Sequence, residues 1–361
     1  MMPETRPRIV YNDQGVCNAC LWAEEKKTEV DWKARWCELE ELCDKYRSRN
    51  TYKFDCILPV SGGKDSSYVA YMMKEKMGMH PLCVTLKPPL EIDVGVRNLQ
   101  NFINCGYDHI HITPNPQVAR KIAKEAFISQ GQPLHAWIIS VQTAIFRSAV
   151  LLDIPFVMFG EEGETEYGGT TKLKEEACYG LEDSINIYLS GLDPRKYTSW
   201  FSEKELYWWL YPSMDEFRRL NPSIAHWSYF ENWDSYKHYL LAKEKLGLEE
   251  TPQRCIGTYN NFAQTDTTLY DLHCYLMYLK FGFGRCSQDV GIDIRRGAMM
   301  RRQALTLVKK YDGEYPQSYI KDYLTYFDMT MKEFDAVLDH YADKNLFKKI
   351  NGKWAPTFTP H

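Results

Sequence analysis

The fold is decided by the stretch Pro59-Val60-Ser61-Gly62-Gly63-Lys64-Asp65-Ser66-Ser67. It follows the largely apolar residues 54–58 and precedes apolar residues at helical spacing, which predicts a strand, a glycine turn and the N-terminus of a helix. Backbone N–H groups approach a ligand closely in such a turn, and the helix dipole favours negative charge there. Lys64 adds a positive charge, and Ser66 and Ser67 add hydroxyl donors. The stretch therefore predicts a phosphate site.

The spacing of the glycines separates the classes of phosphate loop. A kinase-type P-loop needs a glycine where this chain has Leu58 and a Ser or Thr where it has Asp65. The pattern SGGKDS instead resembles the PP-loop of the ATP pyrophosphatase superfamily, whose members cleave ATP between its α and β phosphates. The resemblance implies catalytic roles for Lys64 and Asp65. It also implies that ATP is bound by Ser61, Gly62, Gly63, Lys64, Asp65, Ser66 and Ser67.

The composition limits the classes of function. The chain has 361 residues, which favours two domains, and its 44% hydrophobic and 25% charged residues are typical of a soluble globular protein. A net charge of -4 leaves no basic excess for a polynucleotide, so nucleic-acid substrates are disfavoured. The N-terminus lacks the apolar core of a signal peptide, and we find no apolar run that is long enough to span a bilayer. We therefore expect a cytoplasmic protein without membrane insertion.

Short apolar runs alternate with helical patterns between residues 54 and 160. The predicted strands cover 55–60, 81–86, 109–113 and 155–159, and the predicted helices cover 66–76, 94–105, 117–129 and 136–152. This alternation implies right-handed crossovers and an α/β fold with a doubly wound, Rossmann-like parallel sheet. The predicted regions are a Cys-containing N-terminal segment (1–50), a PP-loop domain (51–185) and an aromatic-rich, helical C-terminal region (186–361). Ligands of such sheets bind beyond the carboxyl ends of the strands.

Three loops at this edge meet the phosphate loop in the prediction, namely residues 87–89, residues 113–115 and the loop that begins at residue 160. Lys87 follows the second strand, and we assign it to ATP binding together with Gly160. The acidic loop, residues 160–169 (GEEGETEYGG), follows the fourth strand. Its carboxylates are suited to bind the Mg²⁺ that accompanies ATP or to orient a substrate hydroxyl. The alternative is an acidic loop that is only solvated. We interpret Glu161 and Glu166 as catalytic and Glu164 and Tyr167 as substrate-binding, and the glycines at the loop tip suit a mobile lid.

The C-terminal region leaves alternatives open. Residues 188–239 are rich in Trp and Tyr, which stack on sugars but more often pack in cores, and Ser202 with Glu205 forms a capping box that predicts a helix. Lys280 and Arg285 flank two glycines and are typical either of a phosphate or carboxylate clamp or of a helix C-terminus. Farther on, a capping box at Thr330 predicts a helix and Asn351-Gly352 predicts a hairpin.

The N-terminal segment contains Cys17 and Cys20 in a CxxC pattern. This spacing suits two of the four ligands of a zinc ion. Cys37 and Cys43 follow at a spacing that is not typical of a metal pair. The alternative is that all four are reduced structural thiols.

Taken together, the chain resembles the N-acetyl sugar amidotransferase family, which includes the LPS protein WbpG and the pseudaminic acid protein PseA. The resemblance is carried by residues 3–9, 15–20, the PP-loop, 160–161 with 166–169, and 280–285 with 293–295. Members usually have an earlier CxxC, which this sequence lacks, so zinc rests on one pair. The resemblance implies ATP and Mg²⁺ as cofactors and adds Arg295 to the substrate-binding residues.

The implied reaction converts an acetamido group of a bacterial surface-glycan sugar, of LPS or a flagellin glycan, into an acetamidino group. The sugar is either free or nucleotide-activated. The chain shows no glutamine-hydrolysing motif, so the resemblance implies separate glutaminase and ammonia-channel subunits like those of imidazole glycerol phosphate synthase. A PP-loop tRNA-modifying enzyme of the thiolase type and a non-catalytic nucleotide-binding scaffold are the competing interpretations.

Overall fold

The computed structural model describes residues 2–47, 53–184, 186 and 194–360. Five parallel strands form the central sheet in the order β3-β2-β1-β4-β5. They are β1 (Cys56–Pro59), β2 (Pro81–Leu86), β3 (Asp108–Ile112), β4 (Phe156–Phe159) and β5 (Ser223–His226). A separate antiparallel hairpin consists of β6 (Phe347–Ile350) and β7 (Lys353–Pro356).

The helices surround this sheet and continue beyond it. The first eight are α1 (Asn18–Thr28), α2 (Trp32–Tyr46), α3 (Lys64–Tyr71), α4 (Asp93–Asn104), α5 (Pro116–Gln130), α6 (His135–Leu152), α7 (Gly163–Tyr167) and α8 (Leu181–Asp183). The others are α9 (Met214–Leu220), α10 (Trp227–Phe230), α11 (Ser235–Leu246), α12 (Leu269–Phe281), α13 (Arg285–Arg295), α14 (Arg301–Tyr311), α15 (Ile320–Phe327) and α16 (Met331–Tyr341).

The sheet is buried on both faces, which confirms the predicted α/β fold class. Ile57 and Val84 pack with Phe146 of α6 on one face. Leu58 and Cys83 point to the other face, where they join the core of α3 and α4. All four predicted strands and the helices between them appear close to their predicted positions. The strands alternate with the helices that cover them, as a parallel sheet requires.

The fifth strand was not predicted. β5 has only four residues and lies in the aromatic segment, where it pairs with β4. Its short apolar stretch, Ile224 and Ala225, carries too little periodicity to mark a strand. The predicted region boundaries fall at 50/51 and 185/186, and the aromatic segment was predicted to start at 188. These positions lie outside the described residues or next to their limits.

The helix predicted from Ser202 is wrong, although its capping box forms. The Ser202 amide donates to Glu205 Oε2 at 2.9 Å, yet only turns and a short 3-10 helix (Tyr207–Trp209) follow. Trp209 is fully buried and donates to the Ala136 carbonyl of α6 at 3.0 Å, so tertiary packing prevents an α-helix from continuing after Ser202. The helix begins instead at a second capping box, Ser213 with Glu216. The capping box at Thr330 and the hairpin at Asn351-Gly352 are confirmed.

The C-terminal helices share a core with the sheet domain. Phe127 of α5 stacks on Phe327 of α15 with ring centroids 4.8 Å apart. Leu276 of α12 and Phe334 of α16 belong to the same apolar cluster. Helix α6 meets the length and composition of a membrane span, contrary to the sequence analysis, but 56% of it is buried against these elements. It is therefore a core helix of the fold.

Candidate active site

The phosphate loop, residues 61–67, connects β1 to α3. Gly62 has a φ of 80°, and a Cβ there would lie 2.5 Å from the Leu99 backbone nitrogen, so the turn requires glycine. The Ser66 hydroxyl accepts from the Ser61 amide at 3.2 Å and donates to the Gly63 carbonyl at 3.3 Å, which fixes the loop. Helix α3 begins at Lys64 without a side-chain cap, so its first N–H groups are available to an anion.

A buried chain of contacts positions the two charged residues of this loop. Lys64 Nζ lies 2.5 Å from Asp65 Oδ2, and the other carboxylate oxygen lies 2.9 Å from Nδ1 of His238 in α11. The His238 ring stacks on Tyr68 at 4.0 Å and is 1% exposed. Burial acts to raise the pKa of Asp65, but Lys64 and His238 outweigh it and lower that pKa to about 2. Asp65 is therefore a permanent anion that orients Lys64.

The main cavity lies between the phosphate loop, the start of the acidic loop, residues 259–266 and α13. Its volume is about 630 Å³, which suits a nucleotide or a sugar derivative. Gly160, Glu161 and the exposed atoms of the phosphate loop line one side of it, whereas Gly62 and Ser67 are buried behind the loop. The aromatic side chains on its wall are Tyr167, Tyr236, Tyr259, Phe262 and Tyr270. The cavity thus joins a phosphate site to a surface that suits sugar or base stacking.

The far wall holds a buried ion pair. Arg285 Nε lies 2.9 Å from Asp289 Oδ1, and the Arg285 guanidinium also donates to the Tyr270 hydroxyl. Asp289 Oδ2 accepts from Thr258 at 2.5 Å and from Asn260 Nδ2 at 2.9 Å. These contacts hold Arg285 in place at the cavity wall, and its role as a phosphate or carboxylate clamp stays a prediction.

The acidic loop divides into two parts. Glu161 faces the main cavity, and burial together with the nearby Asp65 carboxylate raises the pKa of Glu161 to about 7. Glu166 points away from it, because Trp22 Nε1 donates to Oε1 at 2.9 Å and Lys26 Nζ lies 2.7 Å from Oε2. Glu166 was predicted to be catalytic, but in the structure its carboxylate neutralises the buried Lys26 of α1.

The rest of the acidic loop is tied to the N-terminal segment. Glu164 pairs with Arg8, and its other oxygen accepts from the Thr170 amide at 3.0 Å. Arg6 donates to the Gly168 carbonyl at 2.7 Å, and Asn18 donates to the Gly169 carbonyl at 2.8 Å. The tip that was expected to suit a mobile lid is thus anchored, and Glu164 lies outside the main cavity.

The remaining predicted site residues are distributed unevenly. Tyr167 lines the main cavity. Lys280 lies elsewhere and donates to the Gln130 carbonyl at 2.6 Å, at the end of α5, so it stabilises a helix C-terminus. Lys87 is half-exposed and pairs with Glu91 at 3.0 Å, outside the main cavity. Arg295 lies in an adjoining cavity.

Two functional candidates were missed by the sequence analysis. Asp266 lines the main cavity beside Ser61, and burial raises the pKa of its carboxyl to about 6. His238, which positions Asp65, is one of two histidines in the aromatic segment. Neither belongs to a motif with a recognisable spacing, because long-range packing alone brings them to the phosphate loop. Burial is the main cause of the raised pKa of both carboxyls, although Lys64 lies near each of them, and a divalent cation beside them would lower both pKa values.

The Cys17 and Cys20 thiols are hydrogen-bonded to each other, which lowers the pKa of the Cys17 thiol to about 5 and raises that of Cys20. Cys17 caps α1, so the pair opens a helix. Within the part of the chain that the structure describes, no group of three or more His, Cys, Asp or Glu side chains is arranged to hold a metal. The pair therefore lacks the further ligands of a zinc site, and the prediction of zinc is not supported.

The C-terminal part of the chain matches a known family model. Residues 256–358 match the family described as LPS biosynthesis protein WbpG-like, C-terminal domain. The match includes Asp266, Arg285 and Asp289 on the cavity wall. The chain is also 23% identical over 176 residues to an uncharacterized protein of Methanocaldococcus jannaschii, an alignment that spans 48% of this chain and 60% of that relative.

Among solved structures, the chain is similar to two proteins. One is an NH3-dependent NAD synthetase from Campylobacter jejuni in complex with the nitrate ion, with 13% identity, a TM-score of 0.30, and coverage of 51% of this chain and 99% of that one. The other is the U34-tRNA thiolase NcsA from Methanococcus maripaludis with its [4Fe-4S] cluster, with 13% identity, a TM-score of 0.30, and coverage of 77% and 79%.

Proposed function

We propose that this protein is an ATP-dependent amidotransferase that converts the acetamido group of a bacterial surface-glycan sugar into an acetamidino group and releases AMP and pyrophosphate. The observation that carries the proposal is the main cavity. It joins the PP-loop to aromatic side chains and to the Arg285–Asp289 pair, which lies in the segment that matches the WbpG-like model. A single cavity with these two chemistries suits a reaction between ATP and a sugar.

In the proposed reaction, the phosphate loop binds the phosphates that leave as pyrophosphate. The N–H groups at the start of α3 and the Lys64 ammonium neutralise the charge that develops there, and Asp65 and His238 hold Lys64 in place. The Glu161 and Asp266 carboxylates would hold the Mg²⁺ that accompanies ATP, which supplies further charge neutralisation. Their location beside Lys64 is the reason for this assignment.

The bond changes require no protein nucleophile. The amide oxygen of the acetamido group attacks the α-phosphorus, and the bond to pyrophosphate breaks. Ammonia then adds to the activated carbon, loses protons, and expels AMP, which keeps the former amide oxygen. The aromatic wall and Arg285 would orient the sugar, so that its amide faces the α-phosphate.

Ammonia would come from a separate glutaminase and an ammonia-channel subunit. At neutral pH, free ammonia is mostly protonated to ammonium, which has no electron pair for attack. Direct delivery of unprotonated ammonia from a partner therefore favours the reaction. We place the reaction in the cytoplasm, where ATP is available.

The test is a reaction of the purified protein with ATP, Mg²⁺, ammonium and a panel of acetamido and diacetamido sugars, free and nucleotide-activated. Chromatography should detect AMP and pyrophosphate that depend on one sugar, and mass spectrometry should detect a product in which NH replaces oxygen. Lys64→Ala should abolish both products, while Lys332→Ala, an exposed lysine of α16 outside the main cavity, should retain them. ADP as the nucleotide product, or AMP that forms equally without any sugar, would contradict the proposal.

A further inference from the structure

Cys17 and Cys20 stand where the N-terminal segment meets helix α1. Cys17 is the N-cap of this helix of 11 residues, and the Cys20 amide donates to the Cys17 carbonyl at 2.9 Å. This single turn brings the Cα atoms of the two residues into the range of about 4.4–6.8 Å that a disulfide spans. The two thiols are hydrogen-bonded to each other. The pair is therefore placed for a bond between its sulfur atoms.

The surroundings of the pair favour a thiolate at Cys17. The hydrogen bond from Cys20 lowers the pKa of the Cys17 thiol to about 5 against the effect of burial, and the positive charge of Arg295 acts in the same direction. No side chain caps the first N–H groups of α1, so these groups also stabilise an anion at this point. Since the thiolate is the reactive form of cysteine, Cys17 is the nucleophile of the pair.

Metal binding and oxidation are the two common uses of such a pair. In residues 2–47, 53–184, 186 and 194–360, which the structure describes, no third His, Cys, Asp or Glu side chain joins these thiols in a metal site. Cys17 is 6% exposed and Cys20 is half-buried, so a reagent about as small as water reaches the pair more easily than a bulky one. These observations favour oxidation by a small peroxide.

We propose that Cys17 and Cys20 are a site of reversible oxidation, at which hydrogen peroxide converts the two thiols into an intramolecular disulfide. The Cys17 sulfur attacks one peroxide oxygen, the O–O bond breaks, and the departing hydroxide takes a proton, which leaves a sulfenic acid and one water molecule. The Cys20 sulfur then attacks the Cys17 sulfur, the S–O bond breaks, and a second water molecule leaves with the Cys20 proton. The pair loses two electrons and the peroxide gains them. Two molecules of a small thiol reverse the change by exchange and are themselves joined as a disulfide.

The position of the pair gives this oxidation a structural consequence. Asn18, between the two cysteines, donates to the Gly169 carbonyl at 2.8 Å. A Cβ at Gly168 would lie 3.2 Å from the Ala19 Cβ, so the same turn packs closely on the tip of the acidic loop. A disulfide that closes residues 17–20 into a ring therefore restrains the turn that anchors this loop.

The test is peptide mass spectrometry of the full-length protein after brief treatment with hydrogen peroxide at pH 7. Trypsin cuts after Arg8 and Lys26, so one peptide, residues 9–26, contains Cys17 and Cys20 and no other cysteine. This peptide should lose two hydrogen atoms and resist alkylation, and dithiothreitol should reverse both changes. The exposed Cys37 should be oxidised about tenfold more slowly, because it lies within α2, away from N–H groups that stabilise a thiolate.

Variants separate the roles of the residues. Cys20→Ser should stop the reaction at the sulfenic acid of Cys17, which dimedone traps, and Cys17→Ser should form neither the sulfenic acid nor the disulfide. Arg295→Gln should slow the oxidation about threefold, because it removes a charge that favours the thiolate. Arg302→Gln, at an exposed arginine of α14, is the matched control and should leave the rate unchanged.

Three results would overturn the proposal. In the first, peptide 9–26 keeps both thiols at a peroxide dose that oxidises Cys37. In the second, Cys20→Ser is folded by circular dichroism and yet forms no sulfenic acid. In the third, the purified protein contains zinc by plasma mass spectrometry and Cys17→Ser removes it, which would make the pair metal ligands. Because no turnover is measured, these results are independent of whether AMP forms in the amidotransfer assay.

Discussion

The phosphate loop and the acidic loop both follow strands of one sheet, yet they use their charged residues differently. In the phosphate loop, Lys64 and Asp65 both line the main cavity and are paired with each other. In the acidic loop, Glu161 lines the cavity, while Glu166 neutralises Lys26 of α1. Position at a strand end therefore brings a loop to the ligand, whereas distant partners decide which of its side chains remain available.

The largest effect is expected at the phosphate loop. Lys64→Ala should lower the rate of AMP formation about 10³-fold, because it removes the cation that stabilises the departing pyrophosphate. Because the substitution also removes one of the two partners of Asp65, some loss of melting temperature is expected, and far-UV circular dichroism should show that the variant is folded. A steady-state assay of AMP release checks the rate, and Lys332→Ala, on the exposed face of α16, is the lysine control. Retention of full activity in Lys64→Ala would remove the contrast between the two loops.

The next effect concerns stability rather than chemistry. Glu166→Gln leaves the Lys26 ammonium buried without its counter-charge, and removal of one partner of a buried pair costs about 3 kcal/mol. Denaturant unfolding should show this loss of unfolding free energy. The double variant Lys26→Met with Glu166→Leu should recover most of the stability, because it removes both charges.

A loss of activity in that double variant, at restored stability, would show that Glu166 takes part in the chemistry after all. The original prediction of a catalytic carboxylate at this position would then stand.

Glu161 should show the opposite behaviour. Glu161→Gln should lower AMP formation about 10²-fold, since it removes one of the two carboxylates that are proposed to hold the Mg²⁺ of ATP. The pKa of Glu161 is raised to about 7, so its neutral form favours folding, and this contribution is lost as pH rises from about 4.5 through 7. The variant should therefore melt above the unaltered protein at pH 8 and near it at pH 5.

The pH dependence of the reaction gives a second measurement on the same residue. If ionised Glu161 is required, kcat/KM should rise with pH through an apparent pKa near 7, and Glu161→Gln should flatten this limb. An unchanged limb in the variant would assign the titration to another group.

The smallest effect is expected where the acidic loop meets the N-terminal segment at its surface. Arg8→Ala removes the partner of Glu164, but the Arg8 side chain is 47% exposed, and exposed ion pairs contribute less than about 1 kcal/mol. Denaturant unfolding and AMP release should both stay close to those of the unaltered protein. A large loss of activity would mean that this contact positions the loop for chemistry.

The sequence predicted the sheet domain well because its signals are local. The glycine turn at Gly62 and the apolar runs on either side depend on neighbours in the chain, so strand and helix types followed from periodicity. The capping pair at Ser202 shows the limit, since it forms as expected while the burial of Trp209 prevents the helix.

The candidate site was predictable only in part for the same reason. Ser61, Lys64 and Glu161 lie in motifs or at strand ends, and the structure places them at the cavity. Asp266 and His238 reach the phosphate loop through tertiary packing, and Glu166 and Lys280 are turned away by partners far along the chain. Spacing within a motif contains no information about such partners.

Residues 265–267, which include Asp266 of the main cavity, lie against the start of α4: the Ile92 amide donates to the Asp266 carbonyl, and a Cβ at Gly95 would meet the Thr265 carbonyl. Thr267 bridges to Glu91, and its hydroxyl donates to the Pro89 carbonyl, 178 positions earlier in the chain. A nascent chain that ends after β4 therefore exposes the phosphate loop to water without Asp266, His238 or Arg285 around it. Contacts of such long sequence separation slow folding, because the entropy of closing the intervening chain opposes them, and a ligand stabilises only the state that binds it. ATP should consequently protect the complete chain from proteolysis and leave shorter translation products susceptible.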